Sequence, residues 1–358
     1  MMRAHLVSRN IVLVLVFGIL SLFAAELYAA PLMYVPTGDS NEVLIIDLNT
    51  DEIVGRIDEL ENAHGLAGNA ASEYLIAGSM KPPAIGDESA LPVKPNAVTQ
   101  DEHEGHHSGT SKQSLKSAVS VIHPEHGHVM ERIMVPGLTH HTAISVDGKT
   151  AAAVHSGAGS VSIIDVKAMR LSRTINTGMW PNYAVFSQEG GKLFVTNGGS
   201  NSISVIDTAA WKVVDEYAVG KKPEHMVLSH DEKKLFVANV ADGTVMIVDA
   251  KTGEVLKILD AGEKPHGIDQ SSDGRFLFVT AKAENRLTRF DLLKKTSKVI
   301  ELSPAPYHLE YFDEGKKLYI SSRKLPLIWV LDPDSLKIIK KIDIGKGVAH
   351  QMVLRTDK

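Results

Sequence analysis

Apolar and polar residues alternate with a period of two over short stretches that recur along most of the chain. SISVID (Ser202 to Asp207) and TVMIVD (Thr244 to Asp249) are clear cases, rich in β-branched residues and closed by Asp. Such alternation predicts short strands, and Asp242-Gly243, Thr252-Gly253 and Asp273-Gly274 supply turn chemistry between them. The strands fall into a larger unit: an apolar strand, a small-residue turn, an alternating strand ending near Asp, then two further strands. LFVTNGGSNSISVID (from Leu193) and LFVANVADGTVMIVD (from Leu235) show it best. It recurs from Leu277, Leu318, Met33 and Ala151, and a seventh copy starts at Tyr74, breaks off and resumes at Ala118. Repeats of about 42 residues with four strands each predict an all-β fold, a seven-bladed β-propeller of four-stranded antiparallel blades.

The chain opens with a second strand (Met33 to Pro36) and ends with a first strand (His350 to Arg355). The C-terminal strand is therefore expected to complete the N-terminal blade and close the ring, which removes free sheet edges. Residues 1–29 read as a signal peptide, with Arg3 and Arg9 before an apolar run from Ile11 to Phe23 and a cleavage site at Leu27-Tyr28-Ala29. Residues 30–358 are then the propeller, exported to a periplasm, with no stable membrane span after cleavage and a monomer expected. The interruption, residues 80–117, is rich in Pro, Gly, Ser and charge and reads as a flexible loop. The chain has no Cys, which excludes disulfides and thiolate ligands. A net charge of −5 gives no footprint for nucleic acid.

LFVTN, SISVID and the Lys-Pro segments before the SxDxK turns resemble the YVTN family of seven-bladed propellers, most closely over residues 193 to 275. That resemblance implies the fold and leaves the function to be argued from the site.

Histidine is the compositional anomaly, with 16 in the chain. Aligning the units on the stretch that enters the innermost strand gives two adjacent slots. The first holds His64, His140, Asn182, Glu224, His266, Tyr307 and His350; the second holds Gly65, His141, Tyr183, His225, Gly267, His308 and Gln351. Six of the seven units place a histidine in one slot or the other, and innermost strands line the central channel, so these side chains form a ring. Three or four neutral imidazoles there are expected to share a metal ion, with Glu224 as the carboxylate partner and the others hydrogen-bonding the ligands or forming a second site. Because side chains alternate along a strand, the two slots need not point the same way. Asn182 and Tyr183 read as packing or rim residues. His155 ends a second strand and is expected on the same face. His103, His106 and His107 in the interruption would hang over the same mouth as a capture loop. His123, His126 and His128 fall in a turn on the opposite face, as a polar hairpin or a weak surface site.

Imidazole and carboxylate without thiolate suit Zn2+, Cu2+, Ni2+ or Fe2+, with Zn2+ the first choice and Cu2+ or haem the alternatives. In combining an exported propeller with a His-rich loop, the chain resembles periplasmic zinc metallochaperones that supply the solute-binding protein of an ABC transporter. The alternatives are a copper or haem redox propeller similar to those of nitrous oxide reductase and nitrite reductase, or a metal-free protein-interaction scaffold. No nucleophile elbow, HExxH or phosphate-cradling glycine loop supports hydrolysis.

Overall fold

The computed structural model describes residues 30–82 and 116–356. The proposed signal peptide and the three loop histidines lie outside the described residues. Twenty-eight strands, numbered β1 to β28 in chain order, form seven four-stranded antiparallel sheets. Blade 1 has the order β28-β1-β2-β3: β28 (Val353–Arg355) pairs with β1 (Leu32–Pro36) through Tyr34 opposite Val353 and Leu32 opposite Arg355. The ring is closed as expected, by the two ends of the chain. The interrupted blade resumes at β6 (Lys116–His123), two residues before the predicted restart at Ala118.

The core lies between blades. Ala152 and Val154 of blade 3 pack with Phe186, Leu193 and Val195 of blade 4. At the seam, Phe312, Tyr319 and Val330 of blade 7 pack with Met33, Leu44 and Met352 of blade 1, so closure buries apolar surface as well as pairing a strand. Burial falls toward the rim. In blade 4, β13 (Lys192–Asn197) and β14 (Ser202–Asp207) are almost wholly buried, whereas five of the first six residues of the outer β15 (Lys212–Ala218) are exposed in a row. Among the described residues no helix is long and apolar enough to cross a membrane.

Candidate metal centre

The seven innermost strands are β4 (Ala63–Ala67), β8 (His141–Ile144), β12 (Pro181–Phe186), β16 (Pro223–Leu228), β20 (Pro265–Gln270), β24 (Pro306–Phe312) and β28. In five of them the pairing register breaks at the two slots: between Ala63 and Leu66, Pro181 and Ala184, Pro223 and Met226, Pro265 and Ile268, and Pro306 and Leu309. Each break is a bulge, and a bulge re-aims side chains that strict alternation would send to opposite faces. Both slots therefore contribute to one cluster. The bulged N–H groups are satisfied from the second strand. Thr196 Oγ1 accepts from Tyr183 N–H at 3.0 Å, Thr280 Oγ1 from Gly267 N–H at 2.9 Å and Ser321 Oγ from His308 N–H at 3.2 Å. Thr196 and Thr280 also donate to carbonyls of the next blade, on Glu224 (2.7 Å) and Tyr307 (2.5 Å). The Thr of the LFVTN motif is thus a clamp between two blades at the level of the site.

All seven ring histidines are buried and touch one another. His350 and His64 have ring centroids 3.9 Å apart, His64 and His140 4.7 Å, and His140 and His141 4.2 Å. Deeper in, His225 lies 4.6 Å from His141, 4.9 Å from His308 and 4.1 Å from His266. The ligand nitrogens of His141, His225 and His308 fall within 4.8 Å of one another, as do the ligand atoms of Glu224, His225 and His266. His141 Nδ1–H donates to the Asn182 carbonyl at 2.8 Å, which puts its lone pair on Nε2, and Nε2 is 3.2 Å from Nε2 of His225. Two nitrogens on a tetrahedral zinc with bonds of 2.0–2.1 Å would stand about 3.3 Å apart. The donor set fits such an ion. Burial holds the imidazolium forms of His141, His225 and His308 well below the ordinary histidine range, reinforced by neighbouring ring histidines. Three neutral lone pairs are therefore available at neutral pH.

Glu224 stands beside a ligand as much as it offers one: its Oε2 accepts from His266 Nδ1–H at 3.1 Å. That contact fixes the tautomer of His266 and directs Nε2 away, as carboxylates behind metal-bound imidazoles do. Burial raises the Glu224 carboxyl, while Lys282, Lys222 and Lys264 oppose the rise. Gly38, at φ +56, passes so close to His350 that a Cβ there would lie 2.8 Å from Nε2.

His155 corrects an expectation. Its ring is fully buried, but it lies over its own blade, with Nε2 2.8 Å from Ser162 Oγ and Nδ1 3.4 Å from Thr139 Oγ1. It ends β9 (Thr150–His155) on the predicted face, yet its side chain turns into the blade and joins neither ligand group. The His123 to His128 turn is a hairpin as read, with the rings of His123 and His126 stacked at 4.2 Å.

Three features went unread in the sequence. Gln351 ties blade 1 to blades 2 and 3, donating from Nε2 to the Thr142 carbonyl (2.9 Å) and accepting from Leu66 and Thr142 N–H (both 3.3 Å). Two residues further along their strands, Asp269 and Glu310 form a half-buried acidic pair: burial lifts Asp269 to about 6, and burial plus the Asp269 charge lifts Glu310 well above its usual value. Alignment of PHGIDQ with PYHLEYF carries their only signal. The third is a group of basic side chains around Tyr307, taken up below.

The YNCE-like β-propeller family matches residues 181–305, about a third of the chain. No curated protein matches. Among solved structures, the chain is similar to Kuenenia stuttgartiensis hydrazine synthase, at 18% identity over 83% of this chain and 90% of that one, with a TM-score of 0.62. It is similar to the Pseudomonas aeruginosa periplasmic gluconolactonase PpgL at 16% identity over 91% and 99%, with a TM-score of 0.69. It is also similar to the dihydro-heme d1 dehydrogenase NirN at 14% identity over 89% and 65%, with a TM-score of 0.63. At these identities the likenesses establish a shared propeller and nothing about chemistry.

Proposed function

We propose that this protein binds a divalent transition metal in its channel, zinc before copper, through His141, His225 and His308, and holds it as cargo for an acceptor protein. The observation that carries the metal reading is the convergence of three buried, neutral imidazoles within 4.8 Å, two of them 3.2 Å apart through Nε2. Nε2 of His308 is buried with no hydrogen-bond partner, a cost that a metal ion bound there repays. A transfer role draws support from the layering. His350, His64 and His140 form a chain of rings spaced 3.9–4.7 Å leading to the triad, so an ion is passed by exchanging one imidazole for the next without full dehydration. The leader-like residues 1–29 support export, and the solute-binding protein of a metal ABC transporter is the proposed acceptor.

A second reading, a polynuclear copper redox centre, is favoured by His225 standing in both ligand groups. The ring contacts of 3.9–4.9 Å put no macrocycle between the histidines, so in the haem alternative the group would lie over the mouth, held by a ring histidine, and a haem absorption spectrum would select it. Metal analysis of untagged protein purified without chelators decides between them. One colourless equivalent of zinc that moves to the acceptor supports the cargo reading. Two or more copper ions with a visible absorption select the redox reading, and metal-free protein that takes up neither ion overturns both.

A further inference from the structure

The channel mouth is electrically lopsided. Lys222 and Lys264 immediately precede β16 and β20, while Lys282 follows β21 (Phe276–Ala281) and Arg323 follows β25 (Lys317–Ser322). In an antiparallel meander these four points share one face, the face on which the histidines enter. Two of the cations lie over one ring: Lys282 Nζ is 5.6 Å and Arg323 Cζ 5.5 Å from the centroid of Tyr307. Tyr307 is itself stacked on His266 at 4.1 Å and 9°. The collar thus rests directly on the histidine cluster. Its nearest carboxylate is Glu224, already engaged by His266 at 3.1 Å and Lys222 at 3.8 Å. Lys282 and Arg323 are half-buried and have no ion-pair partner among the described residues.

Charge balance sharpens the point. A dication held by three neutral imidazoles leaves two positive charges in a dry site, and the adjoining Lys and Arg side chains repel it further. Both costs are relieved by one exogenous anion placed between the ion and the collar. Guanidinium and ammonium groups beside an aromatic face suit an oxygen-rich anion, which accepts charge-assisted hydrogen bonds from both. We propose that the mouth over blades 5 to 7 is an anion site, in which Lys282 and Arg323, flanked by Lys222, hold a small free oxyanion of the phosphate, carbonate or sulfate type. The coupling of that anion to the ion rests on the metal reading above; the anion site stands on the collar alone. Burial lowers the Lys282 ammonium, Glu224 opposes that, and Arg323, Lys222 and Lys264 add to it.

The test is a zinc titration in a chelator-buffered solution at constant ionic strength, in chloride and then with inorganic phosphate. Zinc is expected to bind at least tenfold tighter with phosphate in the natural protein. The gain should shrink below twofold in Lys282→Gln/Arg323→Gln, whose affinity in chloride stays within a fewfold of the parent. Equal zinc affinities of the natural protein in the two buffers overturn the coupling of anion to ion while leaving the metal reading intact, and the anion site is then decided by the calorimetry that follows. If no zinc binds in either buffer, the metal reading fails instead, and calorimetry of phosphate with the metal-free protein decides the anion site. Saturable binding lost in the double variant sustains it, and no binding overturns it. Should the double variant not fold, Lys282→Gln alone serves the same comparison.

Discussion

Two kinds of buried histidine sit in this propeller. His155 is fully buried with one ring nitrogen on Ser162 and the other facing Thr139. His225 and His308 are as deeply placed, yet Nδ1 of His225 and Nε2 of His308 have no hydrogen-bond partner, and their rings face other imidazoles. Burial alone therefore says little about a histidine. The informative question is whether its nitrogens are spent on the fold or directed at one another.

The largest effect separates the two classes by metal affinity. Replacing His141, His225 and His308 together with Ala is expected to weaken zinc at least a thousandfold, about 4 kcal/mol, with the propeller still folded by near-ultraviolet circular dichroism. Stoichiometric tight zinc in that variant would mean the channel rings are packing groups like His155. The reciprocal change, His155→Ala, should leave zinc affinity unaltered but cost about 2–4 kcal/mol in urea unfolding, from the cavity and the lost hydrogen bond to Ser162. If zinc affinity falls instead, His155 belongs with the cluster after all.

Acid offers a finer separation. Burial lowers His155 from 6.5 to about 4, so between those values the unfolded chain binds the extra proton. The contribution of His155 is intact above pH 6.5 and is lost as pH falls through that window toward 4, with a slope of at most about 1.4 kcal/mol per pH unit. Asp269, raised to about 6, works in the opposite direction over part of the same range. The measurement is thus a difference: metal-free natural protein against His155→Gln, by urea unfolding at steps from pH 7 to 4.5. A parallel pH dependence in the two proteins would remove His155 as the titrating group. The smallest effect is expected at Gly38, where Ala adds both a left-handed backbone penalty and a clash with His350 Nε2. About 1 kcal/mol of stability and a several-fold loss in zinc affinity should follow, and an unchanged zinc affinity would place His350 outside the metal path.

What the chain discloses by reading differs between fold and site for a physical reason. The blades are legible because period-two patterning and turn residues are local, and because the repeat multiplies each weak signal seven times. Ring closure was legible from SISVID-type strands counted from each end, with Met33 to Pro36 lacking an inner partner. The slots were legible too, since equivalent residues of successive blades must surround one axis. Their joint orientation was not. Alternation predicts that Glu224 and His225 diverge, and only the register break between Pro223 and Met226 turns both inward. Nor does any spacing rule show that Thr196 and Thr280 hold the bulges, or that Lys282 and Arg323, 41 residues apart, meet over Tyr307. His155 misled because position along a strand gives the face of the molecule, while the direction of the side chain depends on its neighbours.

The ring is fastened by β28, and the histidine and glutamine that lead into it, His350 and Gln351, reach the cluster and the inner strands of blades 2 and 3. Blades 2 to 7 alone carry His141, His225 and His308, but the ring that brings them together is open until β28 pairs with β1. A chain cut before His350 would therefore keep the three proposed ligands and lose the closure that holds their strands in one ring. An ion bound as proposed would stabilise the closed ring over the open one, by about 4 kcal/mol at a thousandfold excess over its Kd. Clasp and proposed cargo would thus be linked, each tightening the other.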